Sequence, residues 1–198
     1  MGRIARKNLL YNGCFAHVFS RSISKQKIFK NEKDFHVFKE LLLEVKSQSD
    51  FLIHHYCLMQ THFHLVVTIE DVDKFSKALR VLKRDYTFWY NKKYNYRGPL
   101  WRERFKSMLI EDERYLYACG MYVEYNPVKA GIVKQAEDWP HSSYLYYSQG
   151  QSDNLLDVYK RFSLPEDVHW TTDIDFIRGR GIGSAIFKRL LKDSIETG

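Results

Sequence analysis

The amino-acid sequence predicts an α+β fold of the ferredoxin-like type, with the order βαββαβ and one additional helix after the last strand. Short segments rich in β-branched and aromatic residues predict strands, and they alternate with two long segments that have amphipathic helical spacing. With 198 residues, of which 44% are hydrophobic, the chain has enough apolar side chains for one core domain plus an extension.

The first half of the chain predicts strand, helix, strand, strand. Residues 11–20 and 51–58 have strand composition, and the apolar residues between 33 and 47 recur at three- and four-residue spacing. Gln60 and Thr61 make a short break before residues 62–69. This last segment is close enough in the chain to pair antiparallel with the strand at 51–58.

The second half completes the split βαββαβ unit. An amphipathic helix is predicted over residues 73–92, and Gly98 and Pro99 separate it from a strand at 104–110. In this arrangement both helices cover one face of an antiparallel sheet, and we expect the other face to be open for a site.

The additional helix begins after Asp112, a plausible N-cap, and reaches Tyr125 or Asn126, where Pro127 and Gly131 favour its end. We expect a domain over residues 1–150 and a partly helical extension over 151–198. No apolar stretch approaches the length of a membrane span, and the N-terminus lacks a secretory apolar region, so a cytoplasmic location without membrane contact is expected. The three widely spaced cysteines predict buried, reduced thiols.

His62 and His64 are two residues apart on a predicted strand, so their imidazoles project from the same face. That face is the predicted open one, because Phe63 then points towards the helices. Two histidines suit a divalent cation, which would need a further oxygen or nitrogen ligand. A chance HxH triplet in a chain with eight histidines is the alternative.

Tyr122 and Asn126 lie one helical turn apart on the additional helix, so a hydroxyl and an amide oxygen share one side of it. One is suited to attack and the other to coordination. The ordinary alternative is an aromatic core residue followed by a helix-terminating Asn before Pro127.

Positive charge is concentrated in one stretch of the chain. The formal net charge is +7, and residues 74–106 contain eleven basic side chains against two acidic ones. Cations interleaved with aromatic rings are suited to single-stranded or hairpin nucleic acid. The predicted DNA-contacting residues are Arg21, Arg80, Lys83, Arg84, Arg97, Arg102 and Lys106.

Four segments, in this order, resemble the single-tyrosine HUH transposases, most closely the REP-associated tyrosine transposases and related insertion-sequence enzymes. They are HVFSR at 17–21, LMQTHFHLVV at 58–67, GPLWRERFKS at 98–107 and YVEYNPVKAGIV at 122–133. The resemblance covers roughly residues 11–147. It implies that His62 and His64 are the metal histidines, Tyr122 the nucleophile and Asn126 the third ligand.

The resemblance implies a transposase that cleaves and rejoins hairpin-containing single-stranded DNA in the bacterial cytoplasm, at the nucleoid. The expected cofactor is Mg²⁺ or Mn²⁺, the expected intermediate a 5′-phosphotyrosine, and the expected state a monomer or homodimer in which Tyr122 serves its own chain or its partner. Two alternatives remain open. One is a domesticated protein that binds structured DNA or RNA without cutting, and the other is an HUH replication initiator or relaxase.

Overall fold

The computed structural model describes residues 10–111 and 113–157, and within them it confirms the predicted α+β architecture. A four-stranded antiparallel sheet has the strand order β2-β3-β1-β4. Its strands are β1 (Cys14–Arg21), β2 (Phe51–Met59), β3 (His62–Ile69) and β4 (Lys106–Ile110). The helices are α1 (Glu32–Ser47), α2 (Val72–Tyr94), α3 (Glu113–Glu124), α4 (Asn126–Lys129) and α5 (Tyr144–Gln149).

Both long helices begin where a polar side chain satisfies free backbone N–H groups. Asn31 and Asp34 form a capping box at the start of α1, and the Asp71 side chain accepts a hydrogen bond from the backbone N–H of Lys74 at the start of α2. Asn95 ends α2 in the left-handed conformation, which Asn tolerates better than most residues. The structure therefore extends the predicted second helix by one residue at its start and two at its end.

Helices α1 and α2 pack on one face of the sheet and enclose the main core. The Phe38 ring of α1 lies 5.1 Å from the ring of Phe63 on β3 and 5.1 Å from that of Tyr86 on α2, measured between centroids. All three side chains are fully buried. Phe63 points to the helices as predicted, so its neighbours His62 and His64 point to the opposite face.

The opposite face is not open. Helix α3 packs across β2, β3 and β4 there, and His64, Tyr122 and Asn126 are buried. The prediction of an open face was wrong. The sequence predicts α3 as a helix but does not predict where this helix packs. A short amphipathic helix buries its apolar side wherever the sheet offers uncovered apolar surface.

The outer edge of β2 is covered by the chain that follows α4. The backbone N–H of Leu58 donates to the carbonyl of His141, and that of Asp157 donates to the carbonyl of Ile53. Covering an edge strand in this way removes a row of unpaired backbone groups. Residues 151–157 therefore lie against the sheet, while the rest of the predicted extension falls outside the described residues, as does the N-cap predicted at Asp112.

The three cysteines are buried and unpaired, as predicted. Among the helices of the described residues, none combines the length and hydropathy that crossing a bilayer would require.

Candidate functional site

The strand register brings several polar side chains to the sheet face that α3 covers. In the antiparallel pair of β1 and β3, Phe19 is opposite His64 and Arg21 is opposite His62. Residues directly opposite in such a pair share a face, so β1 contributes His17, two residues before Phe19, to the same surface. Two histidines on β3 and one on β1 thus form a single cluster.

His62 and His64 are both held through one ring nitrogen. Nδ1 of His62 lies 2.9 Å from the Thr61 hydroxyl, and Nδ1 of His64 lies 2.9 Å from Nε2 of His17. The two ring centroids of the pair are 5.0 Å apart. Neither Nε2 has a hydrogen-bond partner among the described residues, so each ring can present that nitrogen to a ligand.

Burial keeps these imidazoles uncharged. It lowers the pKa of His62 to about 4, and the positive charge of Arg21 contributes. It also lowers the pKa of His64 well below its ordinary value, with the neighbouring His62, His17 and Arg21 adding to the effect. A neutral imidazole has a free lone pair at neutral pH, which is what metal coordination requires.

His17 is the residue that sequence reasoning missed. It lies within the strand predicted at 11–20, and no role in the site is predicted for it. The structure stacks its ring on that of His64 at 5.1 Å between centroids, and burial, with a contribution from Arg21, lowers the pKa of His17 to about 3. Because His17 is two residues before Phe19 on the same strand, the sequence indicates that both side chains share a face. It does not indicate that His64 is next to them, since this depends on the register between β1 and β3.

Helix α3 is attached to the sheet by a buried polar cluster. Nδ1 of His55 on β2 lies 2.7 Å from Oε1 of Glu124, and the Ser143 hydroxyl donates to the same oxygen at 2.6 Å. Gly120 faces the His55 imidazole so closely that a Cβ at that position would overlap it. These contacts determine how α3 lies on the sheet, and with it the position of Tyr122.

Tyr122 lies beside the histidine cluster of its own chain. Its ring meets that of His17 edge to face, at 6.4 Å between centroids, and only 5% of the residue is exposed. The ammonium of Lys129 lies over the Tyr122 ring, 4.7 Å from its centre. Tyr122 therefore contacts both a histidine of the cluster and a cation.

The sequence predicts Asn126 on the same helix as Tyr122, whereas α3 ends at Glu124 and Asn126 begins α4. Its side-chain nitrogen faces back towards the end of α3. Nδ2 donates to the carbonyls of Tyr122 and Val123, at 3.0 and 3.1 Å. The amide oxygen has no hydrogen-bond partner in the described part of the chain. The amide oxygen of Asn126 thus remains available for a further contact.

The unpaired ring nitrogens and the unpaired amide oxygen are candidate metal ligands. Among the described residues no group of three or more His, Cys, Asp or Glu side chains is arranged to hold a metal ion. The candidate set is instead two neutral imidazoles, His62 and His64, with the amide oxygen of Asn126. Such a mixed nitrogen and oxygen set, completed by water and phosphate oxygens, could hold a divalent cation, Mn²⁺ through both atom types and Mg²⁺ mainly through oxygen.

Three of the predicted DNA-contacting cations gather at the His62 end of the sheet. Arg21 is the cross-strand neighbour of His62, and its carbonyl accepts a hydrogen bond from the backbone N–H of Arg102. Lys106 lies opposite Phe19 on β4, with its ammonium 5.9 Å from that ring centre. His62 is also the more accessible histidine of the pair.

The other predicted cations lie elsewhere. Arg80 and Arg84 are exposed on α2, which packs on the face of the sheet away from the histidines, and Arg97 is exposed in the loop that follows α2. Lys83 is buried, donates to the carbonyl of Glu103 at 2.6 Å, and lies 5.1 Å from the centre of the Trp101 ring. The prediction that Lys83 contacts DNA does not fit this placement, because its ammonium is withdrawn from solvent.

Comparison with known proteins gives a family match over the residues that build this site. A family model described as transposase, IS200 like, matches residues 11–126. A Haemophilus influenzae protein whose name places it among the REP-associated tyrosine transposases is 32% identical over 98 residues, which are 44% of this chain and 56% of that protein. The REP-associated tyrosine transposase of Escherichia coli is 29% identical over 111 residues, 56% of this chain and 64% of its own length.

The matched regions span less than two thirds of either relative. Among solved structures, a REP-associated tyrosine transposase bound to a REP hairpin aligns with a TM-score of 0.64. The sequence identity is 21%, and the alignment covers 80% of this chain and 95% of the other. This likeness extends the sequence match to the fold.

Proposed function

The chain belongs to the IS200-like transposase family, and on that premise we propose that it cleaves and rejoins hairpin-containing single-stranded DNA with Tyr122 as the nucleophile. One observation carries the proposal. Tyr122 lies against His17, whose ring is hydrogen-bonded to His64 of the HxH pair. This contact supports a single site in which the tyrosine and the histidine pair act on the same phosphate.

The proposed cleavage step is a transesterification. The Tyr122 hydroxyl loses its proton and attacks the phosphorus, and the bond from phosphorus to the 3′ oxygen breaks. The tyrosine becomes linked to the 5′ phosphate, and the departing 3′ oxygen takes up a proton. A 3′ hydroxyl on another strand then attacks the same phosphorus, which rejoins the DNA and releases Tyr122. Because the tyrosine linkage keeps the energy of the broken phosphodiester bond, no ATP is consumed.

We propose that Nε2 of His62, Nε2 of His64 and the amide oxygen of Asn126 hold the divalent cation. When bound, Mg²⁺ or Mn²⁺ supplies charge neutralisation on a non-bridging phosphate oxygen. The protein contributes a buried, low-dielectric setting in which the histidines stay neutral.

The DNA strand enters, on this proposal, at the His62 end of the sheet. Arg21, Arg102 and Lys106 lie there, and their charges are suited to the phosphates on either side of the scissile one. The relative seen bound to a REP hairpin suggests a hairpin substrate for this chain as well. Because Tyr122 is 5% exposed, we expect α3 to shift outward when the strand is bound.

We propose that Tyr122 serves the histidines of its own chain, so that a monomer is sufficient for cleavage. The pair of His55 and Glu124 supports this arrangement, since it attaches the tyrosine helix to the sheet of the same chain.

The direct test is incubation with 5′- and 3′-labelled hairpin oligonucleotides and Mn²⁺, followed by denaturing electrophoresis and mass spectrometry. We expect a covalent adduct on Tyr122 and a free 3′ hydroxyl on the other fragment. Tyr122→Phe should abolish the adduct. Tyr125→Phe, a matched change three residues further along, should retain it.

Retained hairpin binding without an adduct, across a library of hairpin and flank sequences, would overturn the proposal. That result would favour the alternative of a protein that binds DNA without cutting it. The burial of Tyr122 is the observation that favours this alternative. An adduct on another tyrosine would reject Tyr122 as the nucleophile.

A further inference from the structure

His17 has a feature that packing does not explain. Its side chain is almost fully buried, yet Nδ1 has no hydrogen-bond partner among the described residues. An apolar side chain would fill this position without leaving a buried nitrogen unpaired, a state that is unfavourable for folding. The other ring nitrogen makes the 2.9 Å contact with Nδ1 of His64.

A 2.9 Å contact between two ring nitrogens is a hydrogen bond with a single proton between them. Either Nδ1 of His64 donates to Nε2 of His17, or Nε2 of His17 donates to Nδ1 of His64. In the first case His64 keeps a free lone pair on Nε2. In the second case its own proton occupies Nε2, and the ring has no lone pair left for a cation.

We infer that His17 is a positioning residue that accepts a hydrogen bond from Nδ1 of His64, and thereby keeps Nε2 of His64 deprotonated and correctly oriented for the cation. This inference rests on the cation site of the proposed function. Metal-binding histidines commonly donate their second N–H to such an acceptor, which fixes both tautomer and ring orientation. Thr61 stands in the same relation to His62, since its hydroxyl lies 2.9 Å from Nδ1.

Two observations argue against His17 as a further ligand. His17, His62 and His64 do not form a metal-holding group of three, and the Nε2 atom of His17 is already engaged with His64. The His17 ring also meets Tyr122 edge to face at 6.4 Å. His17 therefore stands between a proposed ligand and the proposed nucleophile, and can set the position of both.

The first arm of the test reads the tautomer directly. Nitrogen-15 NMR of the histidine rings, with and without Mg²⁺, should show His64 protonated at Nδ1 in the unmodified protein. This measurement requires no variant and no activity. A His64 ring protonated at Nε2 in the presence of Mg²⁺ would overturn the inference.

The second arm measures Mn²⁺ affinity by titration calorimetry or electron paramagnetic resonance. His17→Leu should weaken Mn²⁺ binding by about 10- to 100-fold, and His17→Gln, whose amide oxygen can accept the same hydrogen bond, should recover part of the loss. His54→Gln is the matched control, because His54 is an equally buried histidine bonded to Thr68 and Asp157, and it should leave the affinity unchanged.

The outcomes separate the inference from the proposed function. Absence of Mn²⁺ binding by the unmodified protein would overturn the cation site itself. If the unmodified protein binds Mn²⁺ and His17→Leu binds it equally tightly, only the role of His17 is overturned. Circular dichroism checks that the His17→Leu protein is folded. If His17→Leu does not fold, the tautomer measurement and His17→Gln still decide the question.

Discussion

Nδ1 of His55 on β2 lies 2.7 Å from Oε1 of Glu124 on α3, and both side chains are buried. This pair joins the helix that carries Tyr122 to the sheet that carries the histidine cluster. Ser143 donates to the same carboxylate oxygen, so the chain that covers the edge of β2 is also connected to α3. The position of the proposed nucleophile thus depends on polar contacts made away from the reacting atoms.

Removing the carboxylate should loosen this connection. Glu124→Ala leaves His55 and Ser143 without their buried acceptor, so we expect a loss of about 3–5 kcal/mol in the free energy of unfolding and a fall in adduct formation. Glu124→Gln, which retains an acceptor oxygen, should lose less. Urea denaturation checks the stability, with exposed Glu137→Ala as a control that should behave like the unmodified protein.

Gly120 should resist substitution by alanine. In a helix this change ordinarily stabilises by up to about 1 kcal/mol, but here the added Cβ would overlap the His55 imidazole. We expect Gly120→Ala to destabilise the protein by about 1–3 kcal/mol, as measured by thermal and urea unfolding. The same change in a His55→Ala background should be far less harmful, and equal effects in both backgrounds would contradict the overlap.

Lys129 should assist the reaction of Tyr122. Its ammonium, 4.7 Å from the ring centre, favours negative charge on the phenol oxygen. Lys129→Ala is expected to lower the single-turnover cleavage rate by roughly 10-fold, equivalent to about 1.4 kcal/mol, and more strongly at pH 7 than at pH 9.5, where hydroxide removes the proton unaided. Lys129→Arg should retain most of the rate. A uniform loss at all pH values would contradict this role.

Acid should destabilise the fold through its buried histidines. Burial lowers the pKa of His54 to about 4, whereas the unfolded chain has an ordinary value near 6.5. The unfolded state therefore binds the extra proton between these values, and His54 should contribute a loss of about 1.4 kcal/mol per pH unit as the pH falls through that window. Urea denaturation at pH values from 7.5 to 4 checks this. The free energy of unfolding should fall less steeply with pH for His54→Gln than for the unmodified protein, and equally steeply for His36→Gln, a change on the exposed face of α1.

Cations at the two faces of the sheet should differ in their effect on DNA. The double change Arg102→Ala and Lys106→Ala removes charge at the His62 end, so we expect weaker hairpin binding, a smaller salt dependence and slower cleavage. The matched pair Arg80→Ala and Arg84→Ala, on α2, should leave the cleavage rate at saturating DNA unchanged. Fluorescence anisotropy at several salt concentrations and single-turnover assays distinguish the two. The opposite order of effects would place the strand on the α2 face.

The sequence alone predicted the element order, because both helices and strands have local periodicities that particular residues reveal. The two-residue spacing of His62 and His64 placed them on one face of the sheet. The four-residue spacing of Tyr122 and Asn126 predicted that they lie close together, and Nδ2 of Asn126 donates to the Tyr122 carbonyl although the two residues belong to α3 and α4. The ordered segments around these residues led to the family, which the match over residues 11–126 confirms. All of this information is short-range.

The tertiary structure decided which distant residues meet. The β1–β3 register brings His17 to His64, across 47 residues, and the docking of α3 through His55 and Glu124 closes the face that was expected to be open. It also withdraws Lys83 into a contact with Glu103. Local periodicity specifies which face of a helix or strand a residue occupies. It does not specify which strand or helix packs against that face, because strand pairing and helix packing depend on contacts throughout the core. The residues proposed for the site could thus be named from the sequence, while the contacts around them came from the fold.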